Sequence, residues 1–130
     1  MSNQQAAVEE FFDRFTRSWG ADGGAALGDY YCEDGTLINP FGERAQGRTA
    51  VAAMYGDYFA GILSATTTSV KLDSVRMVGS DHAFVDAEQT IVGADGTTAM
   101  AVHLAALLRR DSEGWRFVDS RPYTVASIPD

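Results

Sequence analysis

Between residues 4 and 19 the apolar positions Val8, Phe11, Phe12, Phe15 and Trp19 recur at spacings of three and four, with Glu9, Glu10, Asp13, Arg14 and Arg17 between them. That period predicts an amphipathic helix. Gly20 and the pair Gly23 and Gly24 break it, and Ala25 to Cys32 reads as a short second helix that turns Leu27 and Tyr30 or Tyr31 inward. Glu33, Asp34 and Gly35 read as a turn. Thr36, Leu37 and Ile38 then form a brief strand, ended by Asn39-Pro40-Phe41-Gly42 because a proline holds the residue before it extended. A third helix begins near Gly47-Arg48-Thr49 and runs to about Gly61, with Val51, Met54, Tyr55, Tyr58 and Ile62 on one side.

Beyond that helix the pattern is β throughout. Runs near 68–78, 82–92, 97–110 and 115–125 are separated by three clusters of turn-forming residues, Gly79-Ser80-Asp81, Gly93-Ala94-Asp95-Gly96 and Asp111-Ser112-Glu113-Gly114. Short turns imply an antiparallel meander. The fold class expected is α+β, three N-terminal helices packed on one face of a curved antiparallel sheet, in a single domain over 1–130.

The faces of two runs carry mixed signals. In 82–92, Ala83, Val85, Ala87, Gln89 and Ile91 share one parity, and Phe84, Asp86, Glu88, Thr90 and Val92 share the other. Alternation alone puts the first set on the core and Asp86, Glu88 and Thr90 in water. In the last run, Trp115, Phe117, Asp119, Arg121 and Tyr123 share a parity, so the two aromatics face inward and the charged pair follows them, at a rim or into a wet cavity. The run 97–110 is apolar on both sides. Something must cover each, and a second subunit is expected on the side away from the helices.

At 130 residues and 14.0 kDa the chain is long enough to bury roughly two-thirds of its unfolded surface around one core. Its charge is −8, from 18 acidic and 10 basic residues, of which Lys71 is the only lysine. Such a field repels phosphate backbones and anionic lipid, so neither nucleic acid nor a membrane is expected as a partner, and a neutral or cationic small molecule is easier to host. Cys32 is alone, which excludes an internal disulfide and suits a reducing compartment. The residues after Met1 show no signal-peptide pattern and no apolar run is long enough to span a bilayer, so a cytoplasmic location is expected.

The helix ended by Trp19, the segment Thr36 to Gly42, the Gly47-Arg48 helix start and a last strand opening Gly114-Trp115-Arg116-Phe117-Val118 together resemble the nuclear transport factor 2-like superfamily. The resemblance runs from about Val8 to Val125 and is nearest to its SnoaL-like, ketosteroid-isomerase-like and SgcJ/EcaC-type small proteins. It implies a cone-shaped fold whose cavity takes a hydrophobic small molecule. Matched to ketosteroid isomerase, the base falls on Asn39, the oxyanion tyrosine on Phe15 and the protonated acid near Ala106, so that mechanism is not expected. The resemblance also assigns the even residues of 82–92 to the cavity, reversing the alternation, and so brings Asp86, Glu88, Asp119 and Arg121 together as the catalytic candidates. Limonene-epoxide-hydrolase-like members are similar in having carboxylates and an arginine on these strands and an asparagine near the early proline.

Carboxylates crowded beside Arg121 would be pushed apart in pKa, with Asp119 held ionised as its partner, which is the acid/base pair that cyclisation, epoxide opening or dehydration needs. Trp19, Tyr30, Asn39, Phe41, Met54, Tyr55, Tyr58 and Tyr123 are the candidates for clasping a flat ligand. Phe11, Phe12, Phe15 and Trp115 read as core. His103 falls on the side away from the cavity, which argues against a metal set with Asp86 and Glu88, and no metal is expected. There is no glycine-rich nucleotide loop, so no cofactor is expected. Two functions follow: a cofactor-independent acid/base enzyme acting on a polyketide-like or other hydrophobic molecule, or a non-catalytic protein that binds or sequesters such a molecule. The dimer is expected through a sheet face bearing Val85, Ala87, Ile91, Ala101, Ala105 and Leu107.

Overall fold

The structure, a computed structural model, describes residues 3–130. Helix α1 covers Asn3–Arg17, and the stripe Val8, Phe11, Phe12 and Phe15 is buried as its spacing requires. A 3-10 segment, Ala21–Tyr30, follows and is kinked at Asp22, Gly23 and Gly24, all at positive φ. Glycine is needed at position 24, because a Cβ there would run into the Phe59 ring and the Tyr55 carbonyl.

The expected second helix therefore ends two residues early, and Tyr31 and Cys32 already belong to strand β1, Tyr31–Ile38. The residues Glu33, Asp34 and Gly35 are not a turn between elements. They form an irregularity inside β1, where the register against the last strand jumps between Tyr31 and Thr36. Gly35 makes this possible: a Cβ on it would lie 2.9 Å from the Phe117 carbonyl oxygen, so only the bare backbone approaches this closely.

Strand β2, Arg44–Gln46, returns antiparallel to β1 across the Asn39–Gly42 turn, and helix α2 covers Arg48–Phe59. Four long strands follow: β3 Thr67–Met77, β4 His82–Val92, β5 Thr98–Asp111 and β6 Gly114–Tyr123. The six strands form one curved, unclosed sheet in the order β2-β1-β6-β5-β4-β3, with β1 and β6 parallel and the other neighbours antiparallel. Helices on one face of such a sheet are the α+β arrangement that the pattern predicts.

The core lies between the helical elements and the inward face of the sheet. Phe117 is its centre, with ring centroids of Phe11, Phe12, Phe15 and Tyr31 at 5.0, 5.7, 5.5 and 4.9 Å. These edge-on and tilted contacts add to simple area burial. On β4 the buried residues are Ala83, Val85, Ala87, Gln89 and Ile91, and on β5 they are Val102, Leu104, Ala106 and Leu108.

Plain alternation is therefore right about β4, and the cavity face implied by the resemblance is not. Val85, Ala87 and Ile91 belong to the inward side and leave the expected dimer surface, whereas Ala101, Ala105 and Leu107 remain on the outer side. On β6 the outcome is different again. Phe117 pairs with Leu108 and Asp119 with Leu107, so Val118 is an extra residue in a β-bulge. Past the bulge the inward parity changes from odd to even, which buries Ser120 and turns Asp119, Arg121 and Tyr123 outward.

Candidate functional site

The open end of the cone holds a cavity of about 70 Å³ between α2, the Asn39 turn and the inward faces of β4 and β5. Its walls are apolar: Leu37, Pro40, Leu63, Ile91, Met100, Val102 and Pro122. Of the expected ligand residues, Trp19, Asn39, Phe41, Met54, Tyr55 and Tyr58 line it. Met54, Tyr55 and Tyr58 come from α2 at positions three and four apart, which is why one helix face supplies all three. Trp19 is fixed by donating its indole N–H to Thr66 Oγ1 at 3.0 Å and by packing on Phe59 at 5.1 Å.

Two expected residues are elsewhere. Tyr30 points back against α1, with its hydroxyl 2.6 Å from Ser18 Oγ and donating to the Arg14 carbonyl at 3.1 Å. The end of the 3-10 segment causes this, since it sends Tyr31 inward and its neighbour Tyr30 toward the helix. Tyr123 lies on the outer face of the sheet, stacked on His103 at 5.5 Å.

The four catalytic candidates also lie on the outer face, opposite the cavity. Arg121 donates to both carboxylate oxygens of Asp119, at 2.8 and 3.2 Å, so the expected ion pair forms, but at the surface. Asp86 accepts from Ser74 Oγ at 3.2 Å. In the sheet register Asp86 and Arg121 flank Ala105 from opposite sides, two strands or roughly 10 Å apart, and Glu88 flanks His103. The four share a face and do not converge. Alternation on β4 and the bulge on β6 are the two reasons. The positions matched to isomerase roles carry no titratable group: Asn39 is an amide at the cavity, Phe15 is in the core and Ala106 is on the inward face of β5.

The polar chemistry of the cavity lies where the early proline turn meets α2. Asn39 Oδ1 accepts from the backbone N–H of Phe41 at 3.0 Å and of Glu43 at 2.9 Å, closing the turn. Its amide nitrogen donates to the Tyr58 hydroxyl at 2.6 Å and to Glu43 Oε1 at 3.0 Å. The Tyr58 hydroxyl in turn donates to Glu43 Oε1. These two donors hold the Glu43 carboxyl below its ordinary range, Tyr58 first and Asn39 second, and the same carboxylate pushes the Tyr58 phenol up.

Glu43 is the residue that the sequence analysis missed. Its signal was the hairpin itself, since a residue returning from an asparagine-closed turn faces that asparagine. Gln89 is the second: it is the polar member of the inward parity of β4, buried, and donates to Thr68 Oγ1 at 3.0 Å. Deeper in, the hydroxyls of Tyr31 and Tyr55 are 3.0 Å apart, with buried Ser120 beside Tyr31. Burial pushes Tyr31 up to about 12 and Tyr55 well above its ordinary value. Among the described residues, no three His, Cys, Asp or Glu side chains come together as metal ligands.

Cone, cavity and curved sheet define the class: a cystatin-like, nuclear transport factor 2-like domain. Residues 8–129 match the SnoaL-like domain family, and the chain belongs to it. A domain with a cystatin-like fold from Nostoc punctiforme is 18% identical, with 98% of this chain and 81% of that one covered at a TM-score of 0.84. A nuclear transport factor 2-like protein from Novosphingobium aromaticivorans is 21% identical, with 92% and 80% covered at 0.78. A protein with a ketosteroid-isomerase-like fold from Catenulispora acidiphila, solved in complex with trimethylamine, is 22% identical, with 88% and 85% covered at 0.59. No curated protein is significantly similar in sequence.

Proposed function

We propose that this domain is a small-molecule-binding protein that takes a compact, largely apolar molecule into the cone cavity, with the Asn39–Glu43–Tyr58 cluster orienting its polar end. One observation carries the reading: the side chains lining the cavity include no carboxylate, histidine, lysine or arginine. General acid/base catalysis near neutral pH needs a group that titrates there. The phenols of Tyr55 and Tyr58 are shifted up and Glu43, at the rim, is shifted down, so each moves away from that range.

The space limits the ligand. About 70 Å³ is far below the roughly 300–1,000 Å³ of pockets for drug-sized molecules, so a polycyclic polyketide would have to displace the rim. A molecule the size of the trimethylamine held by the Catenulispora acidiphila neighbour is of the right order. The fold also hosts cofactor-free catalysis, and the hydrogen-bonded Tyr58–Glu43 pair is the observation that favours that second reading.

Mass spectrometry of small molecules that co-purify with the protein separates the two. A recovered ligand returned unchanged after incubation supports a binding protein. Its conversion, lost in Glu43→Gln, makes the protein an enzyme and overturns the proposal.

The outer face of the sheet supports a homodimer as the second part of the proposal. It carries Ala101, Ala105 and Leu107 among charges of both signs, Asp86, Glu88 and Lys71 with Arg121, so a two-fold related copy can set acids against bases. The single Cys32, buried, is in keeping with a reducing compartment such as the cytoplasm, and among the described residues no helix is long and apolar enough to cross a membrane.

A further inference from the structure

We infer that the molecule held at this cavity carries a small organic ammonium group, seated at the mouth between the Glu43 carboxylate and the rings of Phe41 and Tyr58. The inference rests on the binding reading above and names the chemical class that the same site would take.

Three features of the mouth point the same way. The first is an ionised carboxylate with spare capacity. Glu43 Oε1 receives both Tyr58 and Asn39, whereas Oε2 has no hydrogen-bond partner among the described residues. Among those residues Glu43 also forms no ion pair, although five such pairs occur elsewhere. Its two donors keep it charged, so the mouth presents a negative group that the protein itself does not neutralise.

The second is the aromatic lining. The Phe41 and Tyr58 rings stand 6.4 Å apart and tilted by 34°, with Trp19 and Tyr55 deeper in the same wall. Phe41 is 61% exposed, an unfavourable position for a phenyl ring that the packing of the fold does not require. Ring faces attract a cation electrostatically, more strongly as it loses its water, and a methylated ammonium adds apolar surface to fill the cavity.

The third is the field. Asp57 lies close enough to add to the upward push on Tyr58, and the chain as a whole carries −8. An anionic ligand would meet repulsion at this mouth, and a neutral apolar one would leave the Glu43 charge uncompensated while covering it. An ammonium ion with a few carbon atoms meets all three features and the size of the space.

The test compares choline chloride with its neutral carbon isostere, dimethylbutanol, by calorimetric titration of the intact protein. Choline is expected to bind roughly tenfold or more tightly than the isostere, the range a carboxylate and ring faces supply. Glu43→Gln and Phe41→Leu are each expected to remove most of that preference. Equal binding of the two probes overturns the ammonium inference while leaving the cavity as a small-molecule site. Binding of neither probe also overturns it, and the co-purification experiment then decides the broader reading separately. If Glu43→Gln fails to fold, Phe41→Leu replaces an exposed ring and carries the test. A preference that survives in a folded variant overturns the inference as well.

Discussion

Phe117 and Asp119 stand two residues apart on one strand, yet the first is at the centre of the core and the second is on the opposite face of the sheet, because Val118 bulges between them. The bulge decides which side of the sheet holds charge and which holds the cavity.

It also predicts an inversion in stability. Ser120, 3% exposed and beside the Tyr31 phenol, should tolerate change far less than its neighbour Asp119. Ser120→Ala removes a buried hydroxyl packed beside the Tyr31 phenol, at about 1 kcal/mol or more, whereas Asp119→Ala removes a surface ion pair worth about 0–1 kcal/mol. Urea unfolding of the two variants checks this. A larger loss for Asp119→Ala would mean that β6 continues its odd parity to the end.

Glu43 sets an acid-side dependence. Its folded pKa lies below the ordinary 4.5. A depressed carboxyl contributes stability that is present above the unfolded value and is lost as pH falls through the folded value. The Tyr58→Phe variant removes the principal donor, so the Glu43 carboxyl should titrate at higher pH and the acid-side contribution should shrink. Carbon-detected NMR titration of the Glu43 carboxyl reads the shift, and an unchanged value in Tyr58→Phe would show that the hydrogen bond does not form.

The buried phenols set an alkaline limit. Tyr31 is raised from 10.0 to about 12, so its contribution is complete below the unfolded value and is lost as pH rises from there through the folded value. Two pKa steps in a fully buried group correspond to about 2–3 kcal/mol. Phenolate absorbance should show Tyr31 and Tyr55 ionising only well above 10.0 or on unfolding. Uniform titration of all five tyrosines near 10.0 would contradict the buried hydroxyl pair.

The proposed dimer makes a separate demand on the outer face. Sedimentation should give twice 14.0 kDa, and Ala105→Asp, which puts a new charge between Asp86 and Arg121 on the small apolar patch of the proposed interface, should shift the protein toward monomer. Ala105 faces away from the core, so the variant is expected to keep its far-ultraviolet spectrum. A wild-type monomer at micromolar concentration would remove this part of the proposal.

Much of the architecture was determined by the order of residues alone. The three-and-four spacing of Val8, Phe11, Phe12 and Phe15 can bury its apolar groups only as one helix face, and the turn clusters leave a meander as the short way to join four strands. The alternation of β4 was equally local, and it assigned Asp86 and Glu88 to the outer face. The cavity-facing residues of α2 and the Asn39 turn were legible for the same reason, since helix periodicity and a proline each restrict the backbone nearby.

The parity change of β6, the extension of β1 back to Tyr31 and the meeting of Glu43 with Tyr58 were decided only by tertiary structure. Each depends on a partner far along the chain. Val118 is a bulge because Leu107 and Leu108 set the register across from it, and Gly35 is a close approach rather than a turn because the Phe117 carbonyl lies against it. Period and propensity describe a chain relative to itself. The face a strand presents after an irregularity is set by the strand beside it, and that pairing also decided where this protein keeps its charges and where it keeps its cavity.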